Sequence, residues 1–296
     1  MAKITEGYMP YLGHETYYRI VGENKNNKKA PLILLHGGPG STHNYFEVLD
    51  CIADMDDRQL IMYDQIGCGN SYLDGCPEMW TKKTWMEELE TLRRHLGLKE
   101  CHILGQSWGG MMCIIYACDY KHEGVKSFIL SSTLSHNQLW TDEHHRRMKY
   151  LTKETQEAIA EAERTGNYSG EAYDKAVAEF MERFCNSAPD ENSPECLTRP
   201  KRAGSEAYVY GWGNNEFTPN GSLRNYSYAE EIKNIDTPCM VFSGAEDLCS
   251  PVIAKYMYDN IPNAEWHLFA HSRHMCFVEE TEEYIKELIK WLNKND

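Results

Sequence analysis

No stretch of the sequence approaches the roughly 18 uninterrupted apolar residues that a membrane-spanning helix needs. The first eight residues, Met1-Ala2-Lys3-Ile4-Thr5-Glu6-Gly7-Tyr8, carry no apolar core of signal-peptide length. Both absences lead to the expectation of a cytoplasmic protein without a membrane partner. Cysteine itself is plentiful, but paired spacing is missing. The 11 cysteines are odd in number and scattered, with no metal-type pairs. Cys51, Cys101, Cys113 and Cys239 lie in apolar contexts, where small buried thiols are common. A reduced chain without disulfides or structural zinc is expected. Positive charge is also short, with 30 Lys and Arg against 45 Asp and Glu and a net charge of -15. That balance disfavours nucleic acid and anionic surfaces as partners. It suits substrates that are neutral or carry a positive group. Internal repeats and low-complexity segments are absent too.

What is present is an ordinary globular composition over 296 residues, with 42% hydrophobic and 25% charged residues. Two strand-like stretches come first, Glu15–Val21 and Pro31–Leu35. Short apolar runs of buried-strand length follow at Gln59–Tyr63, Glu100–Leu104, Val125–Leu130, Cys239–Phe242 and Glu265–Phe269. Helical patterns separate several of them. Over Thr84–His95, Trp85, Leu89, Leu92 and Leu96 share a face, Thr84 with Glu87 reads as a capping box, and Gly97 stops the helix. Near the C-terminus, Tyr284, Ile285, Leu288, Ile289 and Leu292 predict another amphipathic helix. Alternating strands and helices imply an α/β fold with a mostly parallel sheet covered on both faces. The alternation breaks over 134–236, where Tyr173, Val177, Phe180, Met181 and Phe184 fall at helical spacing and Asn186–Pro194 reads as a polar loop. A helical block inserted between two strands of one sheet is expected to be a cap. The expected division is a core of 1–133 and 237–296 with a cap of 134–236.

Gly105-Gln106-Ser107-Trp108-Gly109 matches Gly-x-Ser-x-Gly in the context that motif requires, with an apolar strand before it and a helix through Met111–Cys118 after it. So sharp a turn leaves no room for side chains two residues before and after the serine, which calls for glycine at both places. A bare match is common by chance, so Ser107 needs helpers. A serine nucleophile requires a base, and the base an orienting carboxylate. In this fold the chain order is Ser, then Asp or Glu, then His, each after a later strand. Ser243-Gly244-Ala245-Glu246-Asp247 follows one such strand, and Ala270-His271-Ser272-Arg273-His274 follows the next. Asp247 is favoured over Glu246, and His274 over His271. Two N–H donors must also meet the developing oxyanion. One belongs to Trp108. The other is expected from His36-Gly37-Gly38-Pro39-Gly40, a glycine loop whose spacing is not that of a dinucleotide-binding motif.

His36-Gly37-Gly38-Pro39-Gly40, Tyr63-Asp64-Gln65-Ile66-Gly67-Cys68-Gly69-Asn70-Ser71 and Gly105-Gln106-Ser107-Trp108-Gly109-Gly110 together resemble the proline iminopeptidase family of α/β-hydrolases. The likeness spans essentially the whole chain, helical cap included. It implies Ser107 as nucleophile, Asp247 as acid, His274 as base, and the backbone N–H groups of Gly38 and Trp108 as the oxyanion hole. It also implies hydrolysis of an N-terminal residue, often proline, from short peptides or amino-acid amides, without cofactor or metal. Such enzymes read the free α-amine with carboxylates, one in a cap motif resembling Gly213-Asn214-Asn215-Glu216-Phe217, which makes Glu216 the amine-binding candidate. Trp212, Phe217 and Tyr210 are candidates for the apolar wall of a proline pocket. Some members carry a second glutamate directly after the catalytic aspartate, where this chain has Leu248.

That departure leaves room for an esterase, or an N-acyl amide or lactone hydrolase, with the same triad. A different class, a non-catalytic binding protein on a hydrolase scaffold, has no need of all three triad residue types in order. Dehalogenases and epoxide hydrolases of this architecture use a carboxylate nucleophile, which the serine disfavours.

Overall fold

The computed structural model describes residues 2–23 and 28–296. Among the described residues eight strands make one sheet: β1 (Ile4–Tyr11), β2 (His14–Val21), β3 (Leu32–Leu35), β4 (Leu60–Tyr63), β5 (Cys101–Gln106), β6 (Val125–Ser131), β7 (Cys239–Gly244) and β8 (Ala264–Phe269). Their order in space is β1-β2-β4-β3-β5-β6-β7-β8. β1 with β2 and β2 with β4 are antiparallel, and every pairing from β4 to β8 is parallel. The chain leaves β3 towards β4 and returns to β5 on the other side. Side-by-side strands whose connections diverge open a crevice at their carboxyl ends, and in open α/β sheets that crevice is where ligands bind. Here it lies beyond β3 and β5.

The central strands are buried throughout, which is why they read as unbroken apolar runs. Leu32, Leu34, Leu60 and Met62 face one layer, and Ile33, Leu35, Ile61 and Tyr63 face the other. Helix Thr281–Lys294 covers the first layer with Tyr284, Ile285, Leu288, Trp291 and Leu292. Helices Lys82–His95 and Trp108–Asp119 cover the second. Between β6 and β7 the chain forms Asn137–Met148, Lys153–Thr165, Glu171–Phe184, Glu195–Thr198 and Ser205–Gly211. Tyr173, Phe180 and Phe184 turn inward from the third of these, while Val177 and Met181 are only partly buried. Among the described residues no helix is long and apolar enough to cross a membrane. All 11 cysteines are free.

Three expectations need correcting. A strand, β1, precedes the two expected first. As an edge strand it is mostly solvent-facing, with a thin apolar alternation interrupted by Gly7 and Pro10, so its sequence carried little strand signal. The helix of Trp85 begins earlier than a Thr84–Glu87 capping box implies: Thr81 is its N-cap, and the Thr81 hydroxyl accepts the Thr84 N–H. Cys51 is exposed, because its apolar-looking neighbourhood is a surface turn before a single helical turn.

Candidate active site

Strand β5 delivers Ser107 to the crevice. Its φ of 56° and ψ of -119° are strained values for a residue with a side chain, and the helix Trp108–Asp119 starts immediately after it. Glycine is obligatory on both sides. A Cβ at Gly105 would lie 2.0 Å from the Gly109 carbonyl oxygen, and one at Gly109 would lie 1.9 Å from the Leu35 carbonyl oxygen. The serine backbone is pinned as well. Its N–H donates to Ser131, and its carbonyl accepts from the Thr133 hydroxyl at 2.7 Å.

Strands β7 and β8 supply the other two residues. Asp247 is fully buried, and both oxygens of its carboxylate accept hydrogen bonds. Oδ2 accepts from the Gly244 N–H at 3.1 Å, and Oδ1 accepts from the Cys249 N–H at 2.9 Å. Oδ1 also lies 2.8 Å from His274 Nδ1, which assigns the ring proton to Nδ1 and leaves Nε2 free to accept. His274 and Ser107 line the same cavity. Glu246 and His271 do not join them: both are exposed, and their carboxylate and ring lie outside that cavity.

The glycine loop after β3 closes on the serine. A Cβ at Gly37 would sit 3.1 Å from Ser107 Cβ, and Gly38, at φ 111°, lines the cavity beside Trp108. A buried polar web holds the loop. Burial lowers the His36 imidazole to about 4, so the ring is neutral, donating from Nδ1 to the Gly37 carbonyl at 2.9 Å and accepting the Gln65 N–H at Nε2 at 3.0 Å. The Gln65 side chain in turn accepts the Trp108 indole N–H at 2.9 Å. The three motifs of the resemblance therefore meet in one place.

The cavity has a volume of about 280 Å³ and is walled mainly by apolar side chains, among them Met111, Leu134, Trp140, Trp212 and Leu248. Glu216 opens into it. Burial raises the Glu216 carboxyl above its ordinary value, while the Tyr208 hydroxyl, donating at 2.5 Å, and nearby His274 pull it back. Trp212 is in the wall, edge-to-face with Trp140 at 5.2 Å. Phe217 is a correction. It is fully buried at right angles to Phe180, 5.1 Å away, within the helical block, and does not reach the cavity. Tyr210 is half exposed and also lies outside it. Tyr208 and Trp140 are the residues that sequence reasoning missed. Tyr208 differs from Tyr210 by two positions on one short helix, and the motif alone gives no signal for which of them turns inward.

One cavity thus gathers a serine at a sharp strand-to-helix turn, an imidazole oriented by a buried carboxylate, and the backbone of Gly38 and Trp108, the groups that acyl transfer uses. Fold and cavity together define the class: a serine hydrolase on an α/β-hydrolase scaffold. The family of the alpha/beta hydrolase fold matches residues 30–281. The chain is 63% identical over 294 residues to the proline iminopeptidase of Clostridium botulinum, covering 99% of this chain and all of that protein. It is 60% identical to the proline iminopeptidase of Clostridioides difficile, with coverage of 99% and 100%. Among solved structures, the Mycobacterium smegmatis proline iminopeptidase superposes with a TM-score of 0.83 at 28% identity, covering 98% of each chain. The chain belongs to the proline iminopeptidase family of α/β-hydrolases.

Proposed function

We propose that the protein is a serine exopeptidase that removes an N-terminal residue, preferentially proline, from short peptides or amino-acid amides. In this reading 134–236 is a cap over the core of 1–133 and 237–296. The observation that carries it is the sharing of one small cavity by Ser107 and Glu216. At about 280 Å³ it lies just below the roughly 300–1,000 Å³ typical of ligand sites, room for one residue and not for a bound chain. A carboxylate withdrawn from bulk water attracts an ammonium group far more strongly than an exposed one. A bound substrate amine would favour the ionised form of Glu216, offsetting the burial that raises its carboxyl.

In the proposed mechanism Ser107 Oγ attacks the carbonyl carbon while His274 takes its proton. The N–H groups of Gly38 and Trp108 hold the oxyanion, and Asp247 stabilises the imidazolium. His274 then protonates the leaving amine, and water hydrolyses the acyl-enzyme. The chain's own residues complete each step without a cofactor.

Leu248 favours a second reading. It presents an apolar surface to the cavity, compatible with an ester, lactone or N-acyl amide substrate on the same triad. Turnover of proline β-naphthylamide tests the first. Wild-type protein is expected to hydrolyse it, and Ser107→Ala or His274→Ala to lower kcat by at least about 10,000-fold. Unchanged turnover in Ser107→Ala would remove the nucleophile from the account.

A further inference from the structure

Helix Asn137–Met148 grips the turn that carries Asp247. Arg147 is buried at 4% exposure, and among the described residues its hydrogen bonds go to backbone carbonyls of that turn. Nη1 donates to the Asp247 carbonyl at 2.6 Å and to that of Leu248 at 3.2 Å, and Nη2 donates to that of Glu246 at 3.4 Å. One helical turn earlier, Glu143 accepts the Ser250 hydroxyl at 2.6 Å, just past the same turn. The two contacts bracket residues 246–250.

The base is held from the same side. The Arg147 guanidinium stacks on the Phe184 ring at 3.6 Å. The next residue, Cys185, accepts the His274 N–H on its carbonyl at 3.1 Å. Arg273 Nη1 donates to the Glu182 carbonyl at 2.7 Å. Thus Arg147 touches the acid turn directly, and packs on the ring whose neighbour holds the base.

Burying a guanidinium is costly unless its donors are met. The charges of Asp247, Glu246 and Glu143 act on the guanidinium favourably, but its hydrogen-bonding fork is spent on three consecutive backbone carbonyls. We infer that Arg147 is a positioning residue: by clamping residues 246–248 it sets the place of Asp247, and through it the orientation of His274. This rests on the triad reading above. The helical block would then do more than shape the pocket. Its docking would complete the acid–base pair.

The test measures kcat and KM per titrated active site for Arg147→Ala and Arg147→Lys, well below each variant's Tm, together with the rate of Ser107 labelling by a fluorophosphonate. Arg147→Ala is expected to lower kcat and the labelling rate in parallel by roughly 10- to 100-fold, since small misplacements of catalytic groups have effects of that order. KM should stay within about threefold, as uniform binding is untouched. Methylguanidinium is expected to restore part of the lost kcat. Arg147→Lys keeps the charge but not the fork, and should fall between the two. Wild-type kcat in folded Arg147→Ala overturns the inference. Should that variant fail to fold, Arg147→Lys decides: reduced kcat at unchanged KM supports the role, and wild-type kcat overturns it. Ser107→Ala separates the two readings. If it still reacts with the probe, the triad reading falls and this inference with it. If it does not, while Arg147→Ala labels at the wild-type rate, this inference alone falls.

Discussion

Ser107 acquires meaning from residues far from it in sequence. Asp247 and His274 were legible because each follows an apolar strand in the chain order the fold imposes, and the backbone then brings them to 2.8 Å. The choice against Glu246 and His271 was less legible, since only the strand ends decide which side chain points inward. Tyr208, which donates to Glu216, left no pattern to find. Glycine at 109 is another matter. With its would-be Cβ 1.9 Å from a backbone oxygen, Gly109→Ala must displace β3 or the elbow. It is expected to destabilise by several kcal/mol, beyond about 3, in a urea melt. An unchanged midpoint would mean the elbow relaxes freely. Glu88 offers a test through pH. Burial pushes its carboxyl from 4.5 up to about 8, with the Asp64 charge adding to the rise and hydrogen bonds from Thr16 and Ile66 opposing it. A folded value above the unfolded one means the folded state holds the proton more tightly. The stabilisation is therefore present at acid pH and lost as pH rises from about 4.5 to about 8. Relative to Glu88→Gln, the wild type should lose a few kcal/mol across that window, and a pH-independent difference would contradict it.

At the scale of elements, buried strands and amphipathic helices announced themselves, whereas edges and ends did not. β3 and β4 are apolar on both faces and could be read directly, while β1 exposes most of its residues. The capping error came from two threonines three apart, each able to cap. The structure uses Thr81, so Thr81→Ala is expected to cost about 1 kcal/mol in chemical denaturation. Thr84→Ala should change stability less through capping, as its N–H remains available to Thr81. Equal losses would return the cap to Thr84. The grip of helix Asn137–Met148 on the acid turn was invisible in the sequence for a physical reason. Arg147 binds backbone carbonyls 99 to 101 residues away, and carbonyls carry no residue identity.

For the whole molecule, the alternation of strands and helices and the inserted helical block were legible in the changing periodicity, whereas the spatial order of the strands, and with it the switch point, was not. The structure leaves the 11 cysteines free. Reductant should accordingly leave Tm unchanged, and a fall on adding it would reveal a disulfide. Substrate choice is less legible at this scale, because fold and triad serve many hydrolases and only the cavity discriminates. The central claim is that a serine hydrolase cavity reads a free N-terminal amine through Glu216. The direct measurement is kcat/KM for proline β-naphthylamide against its N-acetylated counterpart, in wild type and Glu216→Gln. The account predicts a preference of at least about 30-fold for the free amine, largely erased in Glu216→Gln, as losing a buried charge partner costs about 2 kcal/mol or more. Equal turnover of free and blocked substrates by the wild type would contradict it and favour the ester or N-acyl amide reading.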